Sequence, residues 1–113
     1  MKRVIAVDFD GTLCVNKWPN IGEPNTALIE QLIEEQRNGA QIILYTCREQ
    51  RMQREAVKWC KEQGLKFDAV NRNIPERIRA YKFDPRKISA DVYIDDRAAS
   101  FVFGESLQLG GKA

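Results

Sequence analysis

Histidine is absent from the 113 residues, which removes imidazole general bases, histidine-containing triads and histidine metal sites together. Cysteine is scarce: Cys14, Cys47 and Cys60 form an odd set whose spacing matches neither a zinc site nor a disulfide framework. Any chemistry here must rest on carboxylates, hydroxyls, thiols or amines. Long apolar runs are missing as well, since Val4 to Val7 and Ile42 to Tyr45 reach only about four residues, against the ~20 needed to span a bilayer. Met1-Lys2-Arg3 leads into one of these short runs without a small-residue cleavage site, so a cytoplasmic protein without a signal peptide or membrane partner is expected. Charge of either sign is not in excess; the formal net of +2 points to no partner. With 43% hydrophobic and 30% charged residues, the composition is that of a globular domain rather than a disordered or fibrous chain. The length suits a single domain over residues 1–103, with 104–113, which holds Gly104, Gly110 and Gly111, as a loosely held tail.

The apolar residues that are present fall into a repeating order. Val4-Ile5-Ala6-Val7, Ile42-Ile43-Leu44-Tyr45 and Val92-Tyr93-Ile94 lack the alternation of a half-exposed strand, as expected for strands covered on both faces in a parallel sheet. Each stops at polar residues: Asp8, Thr46 and Asp95-Asp96. Between the first two runs, Leu28, Ile29, Leu32 and Ile33 recur at helical spacing, with Pro24 ahead and Gly39 behind. After Thr46, Met52, Ala56, Trp59 and Cys60 share a helical face that Gly64 ends. Phe67-Asp68-Ala69-Val70 reads as a short strand. The stretch from Asn71 to Lys87 is broken by Pro75 and Pro85 and resists assignment, apart from a helical reading of part of Pro75 to Tyr81. Strands alternating with helices predict an α/β fold, an open and mostly parallel Rossmann-like sheet with helices on both faces. Ligands of such sheets bind at the carboxyl ends of the strands, where Asp8, Asp10, Thr46, Asp95 and Asp96 should converge.

Asp8-Phe9-Asp10-Gly11-Thr12 carries the strongest chemical signal. Two carboxylates two residues apart, beside a glycine that lets the chain turn, can enter one small site. Clustered carboxylates repel one another, and a hard divalent cation with oxygen ligands relieves them; Mg²⁺ accepts a few carboxylates, a carbonyl, waters and a substrate phosphate oxygen. A lone Asp-x-Asp more often solvates a turn. Four carboxylates at two strand ends, Asp8, Asp10, Asp95 and Asp96, argue for the metal.

These residues resemble a known group. Asp8-Phe9-Asp10-Gly11-Thr12-Leu13, Thr46 after an apolar strand, a downstream lysine and Ile94-Asp95-Asp96-Arg97 are similar, in order, to the four motifs of the haloacid dehalogenase-like (HAD) phosphohydrolase superfamily, over residues 4 to 97. The resemblance implies that Asp8 is a nucleophile forming an aspartyl phosphate. It implies that Asp10 protonates the leaving group and then activates water, while its carbonyl helps bind metal. Thr46 would hydrogen-bond a phosphoryl oxygen, and Asp95 and Asp96 would complete the Mg²⁺ site. A lysine would neutralise nucleophile and phosphoryl group; Lys87, eight residues before Asp95, is the first choice and Lys82 the second. Gly11 and Thr12 would shape the turn after the nucleophile and, with Cys47 and Arg48, bind substrate. Arg48 falls at the start of a predicted helix, where a cation is disfavoured unless an anion lies nearby, although Glu49 offers compensation.

Two further segments leave alternatives open. Trp18, in the flap that follows the first strand in proteins of this type, either stacks on a leaving group or anchors its loop to the core. Arg72, Arg77, Arg79, Lys82, Arg86 and Lys87, against Glu76 and Asp84, form either a cationic rim that steers anionic substrate or a solvated crossover. No cap domain fits between the motifs, so the site is expected to be open, taking a large substrate or a neighbouring subunit over it. Ser89 to Arg97 is similar to the last motif of the 5′(3′)-deoxyribonucleotidase branch, which favours a nucleotide-like phosphomonoester, although those enzymes carry caps. The expected function is Mg²⁺-dependent phosphomonoester hydrolysis of a small or macromolecular phosphorylated substrate. The alternatives are a non-catalytic Mg²⁺- and phosphate-binding module of the same fold and a phosphotransferase.

Overall fold

Strand β1 (Val4–Val7) is apolar at every position because both of its faces are covered. In the computed structural model, which describes residues 2–98, 101–105 and 107, Ile5 and Val7 enter one hydrophobic cluster while Val4 and Ala6 enter another. This is the period-two division expected of a central strand. Strand β1 pairs in parallel with β4 (Gln41–Leu44) on one side and β6 (Val92–Ile94) on the other, and β5 (Ala69–Val70) adds to β4. The sheet order is β5-β4-β1-β6. The chain therefore has the open parallel α/β sheet, Rossmann-like in build, that alternating strands and helices predict.

Helix α1 (Thr26–Arg37) buries Leu28, Ile29 and Leu32. It begins where the Asn25 side chain accepts from the Leu28 N–H, satisfying one of the donors a helix start leaves free. It ends before Gly39, whose φ of +102° reverses the chain into β4 at no steric cost. Helix α2 (Gln50–Glu62) buries Ala56 and Cys60. Both helices feed the larger cluster on the Ile5–Val7 face. The opposite face is covered more thinly, by Ile74, which leads into α3 (Pro75–Tyr81), and by Ile88 and Ala90.

The stretch unreadable in sequence is organised by one buried side chain. Asn73 donates to Asp84 and to the Pro85 carbonyl and accepts from the Ser89 N–H, tying the two ends of the crossover together. At the amino edge of the sheet, buried Arg77 pairs with Asp91, which also accepts the Val4 N–H. Between β1 and α1 an antiparallel hairpin, β2 (Cys14–Lys17) and β3 (Asn20–Pro24), forms the flap. The tail departs from expectation at Leu107: it exchanges two hydrogen bonds with the Gln31 side chain of α1 and packs on the larger cluster, where its apolar side chain finds core to cover. Of the remaining expected tail, 106 and 108–113, with Gly110 and Gly111, lie outside the described residues. Among the described residues no helix is long and apolar enough to cross a membrane.

Candidate active site

Four strands end at one edge, and the residue after each of them lines one cleft of about 460 Å³: Asp8 after β1, Tyr45 after β4, Asn71 after β5 and Asp95 after β6. Backbone pairing holds this row in place, since the Asp8 N–H donates to the Ile94 carbonyl and the Tyr45 N–H to the Val7 carbonyl. Phe9 turns into the core and meets the Trp59 ring edge-on at 5.7 Å.

The carboxylates of Asp8, Asp95 and Asp96 lie within 4.8 Å of one another. Burial pushes the Asp8 carboxyl from 3.8 up to about 6, and the neighbouring charges of Asp95 and Asp96 act in the same direction. Asp95 is held below the usual carboxylate range by the Arg97 backbone N–H and by the Tyr45 hydroxyl, which donates at 3.1 Å. Burial and the Asp95 charge push Asp96 the other way. Burial, followed by the Asp95 charge, in turn keeps the Tyr45 hydroxyl protonated well above its ordinary range. Three crowded carboxylates, two of them disfavoured as anions by burial and by their neighbours' charges, suit a hard cation such as Mg²⁺.

Gly11 and Thr12 build this cluster from behind rather than meeting a substrate. Gly11 sits at φ +83°, and a Cβ there would run into the Asp96 carboxylate. Thr12 is fully buried: its hydroxyl donates to Asp8 at 3.4 Å and accepts the Asp96 N–H at 2.9 Å, bridging the first and last strand ends. The expected substrate role of these two is thus replaced by a structural one.

Asp10 and Arg48 also stand differently from expectation. The Asp10 carboxylate lines the cleft but lies outside the metal-like trio, because Arg48 holds both of its oxygens at 2.8 Å. Arg48 lies before α2, not in its first turn, and is 2% exposed. Its remaining bonds go to the Pro19 and Asn20 carbonyls of the hairpin. The anion that accounts for this arginine is Asp10, not a substrate.

Thr46 and Cys47 line the cleft as expected. The Thr46 backbone is clasped at both its N–H and its carbonyl by the Asn71 side chain, and its hydroxyl accepts the Arg48 N–H, leaving the O–H free to donate. Lys87 is not brought to the site. Its ammonium lies 5.2 Å from the Tyr93 ring centroid, in a separate groove with Tyr81 and Phe83. Lys82 does not line the cleft either; it caps α3 in a left-handed conformation. None of the six basic residues between Asn71 and Lys87 lines the cleft; among the described residues the cation that does is Arg97. Trp18 lines it at 61% exposure, which removes the core-anchor reading. The sequence reading missed Tyr45, Asn71, Asn16 and Arg97 as lining residues. Asn71 directly follows the strand that ends at Val70, so the strand-end rule applied there would have found it; Tyr45 escapes the rule because the apolar run reads through it, whereas the strand stops at Leu44.

Fold and site together define a Rossmann-like α/β domain with an acidic cleft at the carboxyl edge of its sheet. No protein-family model and no curated protein matches the chain. The solved structure of a conserved protein from Bacteroides thetaiotaomicron matches it with a TM-score of 0.78 and 37% sequence identity, over 90% of this chain and 82% of that one. The chain belongs to the same family as that Bacteroides protein.

Proposed function

We propose that the protein is a Mg²⁺-dependent phosphomonoester hydrolase of the HAD-like type, working through an aspartyl phosphate on Asp8. The observation that carries this reading is the Asp8–Asp95–Asp96 trio, gathered within 4.8 Å at the carboxyl edge of a parallel sheet. These three carboxylates would hold the metal, which when bound would neutralise the site's negative charge and that of the phosphoryl group. Asp8 attacks phosphorus as the bond to the leaving oxygen breaks, and Thr46 offers its free O–H to a phosphoryl oxygen. Asp10, at the cleft wall, handles the protons of leaving group and water. The exposed Trp18 ring over an open cleft favours a substrate with a flat leaving group, such as a nucleotide or a nucleic-acid end, over a compact sugar phosphate.

One observation favours a second reading. The cleft has Arg97 where a lysine is wanted, which suits a Mg²⁺- and phosphate-binding module as well as an enzyme. Turnover of an aryl phosphate by wild type and Asp8→Asn, each with Mg²⁺ and with chelator, separates the two. The hydrolase reading expects metal-dependent turnover that falls by a factor on the order of 10³ or more in the variant. Mg²⁺ binding without turnover of aryl phosphates or nucleotides supports the binding module.

A further inference from the structure

Among the described residues Arg48 is the largest fully buried side chain, and its burial is costly unless every charge and donor is matched. Four of the five guanidinium N–H groups are matched: Nε and one Nη2 donor to the two Asp10 oxygens, the other Nη2 donor to the Asn20 carbonyl, and one Nη1 donor to the Pro19 carbonyl. The guanidinium carbon also lies 5.2 Å from the Phe9 ring centroid. The backbone of Arg48 is fixed as well, its N–H by the Thr46 hydroxyl and its carbonyl by the Gln53 amide. One side chain thereby joins the β1 loop, the turn of the β2–β3 hairpin and the β4 loop. Each of these pieces supplies the cleft wall with another residue: Asp8, Trp18 and Thr46. An apolar residue of similar volume would hold such pieces together as well or better if stability were all that was required.

We propose that Arg48 is a positioning residue for Asp10, fixing its carboxylate clear of the Asp8–Asp95–Asp96 trio so that it receives the proton of the attacking water. The assignment rests on the hydrolase reading above. In the step concerned, a water oxygen bonds to phosphorus, the water proton passes to Asp10, and the bond from phosphorus to the Asp8 oxygen breaks. Inorganic phosphate leaves and the Asp8 carboxylate is restored. Two lone pairs of the Asp10 carboxylate serve Arg48 and two remain for that proton.

2,4-Dinitrophenyl phosphate separates this step from the one before it, because its leaving group departs without a proton. With this substrate, kcat/KM reads phosphorylation of Asp8 and kcat reads the slower hydrolysis once Arg48 is altered. Arg48→Lys cannot make the two-pronged contact, and Arg48→Gln keeps two N–H donors without the charge. In folded samples of either, the expected result is a kcat lower by roughly 10- to 100-fold with kcat/KM within about 3-fold of wild type. A first-turnover burst of dinitrophenolate equal to the enzyme concentration should accompany it. A parallel fall of kcat and kcat/KM with no burst, or no fall in either, overturns the assignment. So does failure of both variants to fold by circular dichroism, which leaves Arg48 a purely architectural part. Absence of any turnover by wild type overturns the hydrolase reading itself, and is distinguished by that control.

Discussion

Asp8 and Asp10 stand two residues apart on one loop, and the protein treats them in opposite ways. Asp10 has its countercharge inside the fold, a buried arginine that takes both oxygens at 2.8 Å. Burial pushes the Asp8 carboxyl up to about 6, and the two carboxylates it faces add to that effect. One charge is neutralised within the fold, and the other has no basic partner among the groups that shift it. Sequence spacing alone puts both in the same acidic site; the structure divides them into a carboxylate paired with an arginine and a carboxylate crowded by two others.

Stability measurements can break or sharpen that division, because it predicts opposite signs. Asp10→Ala removes one partner of a buried ion pair and leaves Arg48 unpaired, so it should destabilise the fold by about 3 kcal/mol in urea melts. Mg²⁺ at about 100 times its dissociation constant should stabilise wild type by about 2.7 kcal/mol and leave Asp95→Asn nearly unmoved in thermal melts. Asp8→Asn should stabilise the metal-free protein at pH 8, by about 1 to 2 kcal/mol once the screening of a half-buried group is allowed for. The sign follows from the raised pKa. The Asp8 carboxylate costs stability above pH of about 6, and that cost fades as pH falls toward the ordinary 3.8. The advantage of Asp8→Asn should therefore vanish by about pH 4, and a gain that persists there assigns it to something other than charge. The smallest effect belongs to Lys87→Ala, which should change kcat by less than about 2-fold because the ammonium rests against Tyr93 in another groove. A large loss on Lys87→Ala would return that lysine to the site.

The parts of the molecule set by local chemistry were legible before any coordinates. The apolar runs Val4–Val7 and Val92–Ile94 became strands within those bounds, and Pro75 to Tyr81 became a helix as its composition allowed. The acidic trio was legible too, since a parallel sheet fixes which ends of its strands meet. What could not be read was partnership across the chain. Arg48 and Asp10 are 38 residues apart, and a sequence shows a cation out of place before a helix without showing which anion claims it. The hairpin carries Asn16, Lys17, Trp18, Pro19 and Asn20, a poor strand composition that only pairing with its own return stabilises. Lys87 was misplaced for a related reason: proximity to the last strand fixes the backbone, but an exposed side chain with an aromatic face beside it is free to settle there.

All three cysteines are free thiols, and they are far from equivalent: Cys14 and Cys60 are buried, while Cys47 is exposed on the wall of the cleft one residue beyond Thr46. The native chain thus offers a single address for a thiol-selective dye. A fluorophore attached at Cys47 would report from the mouth of the cleft, so occupancy by metal, phosphate or nucleotide could be followed optically in a protein with no engineered position.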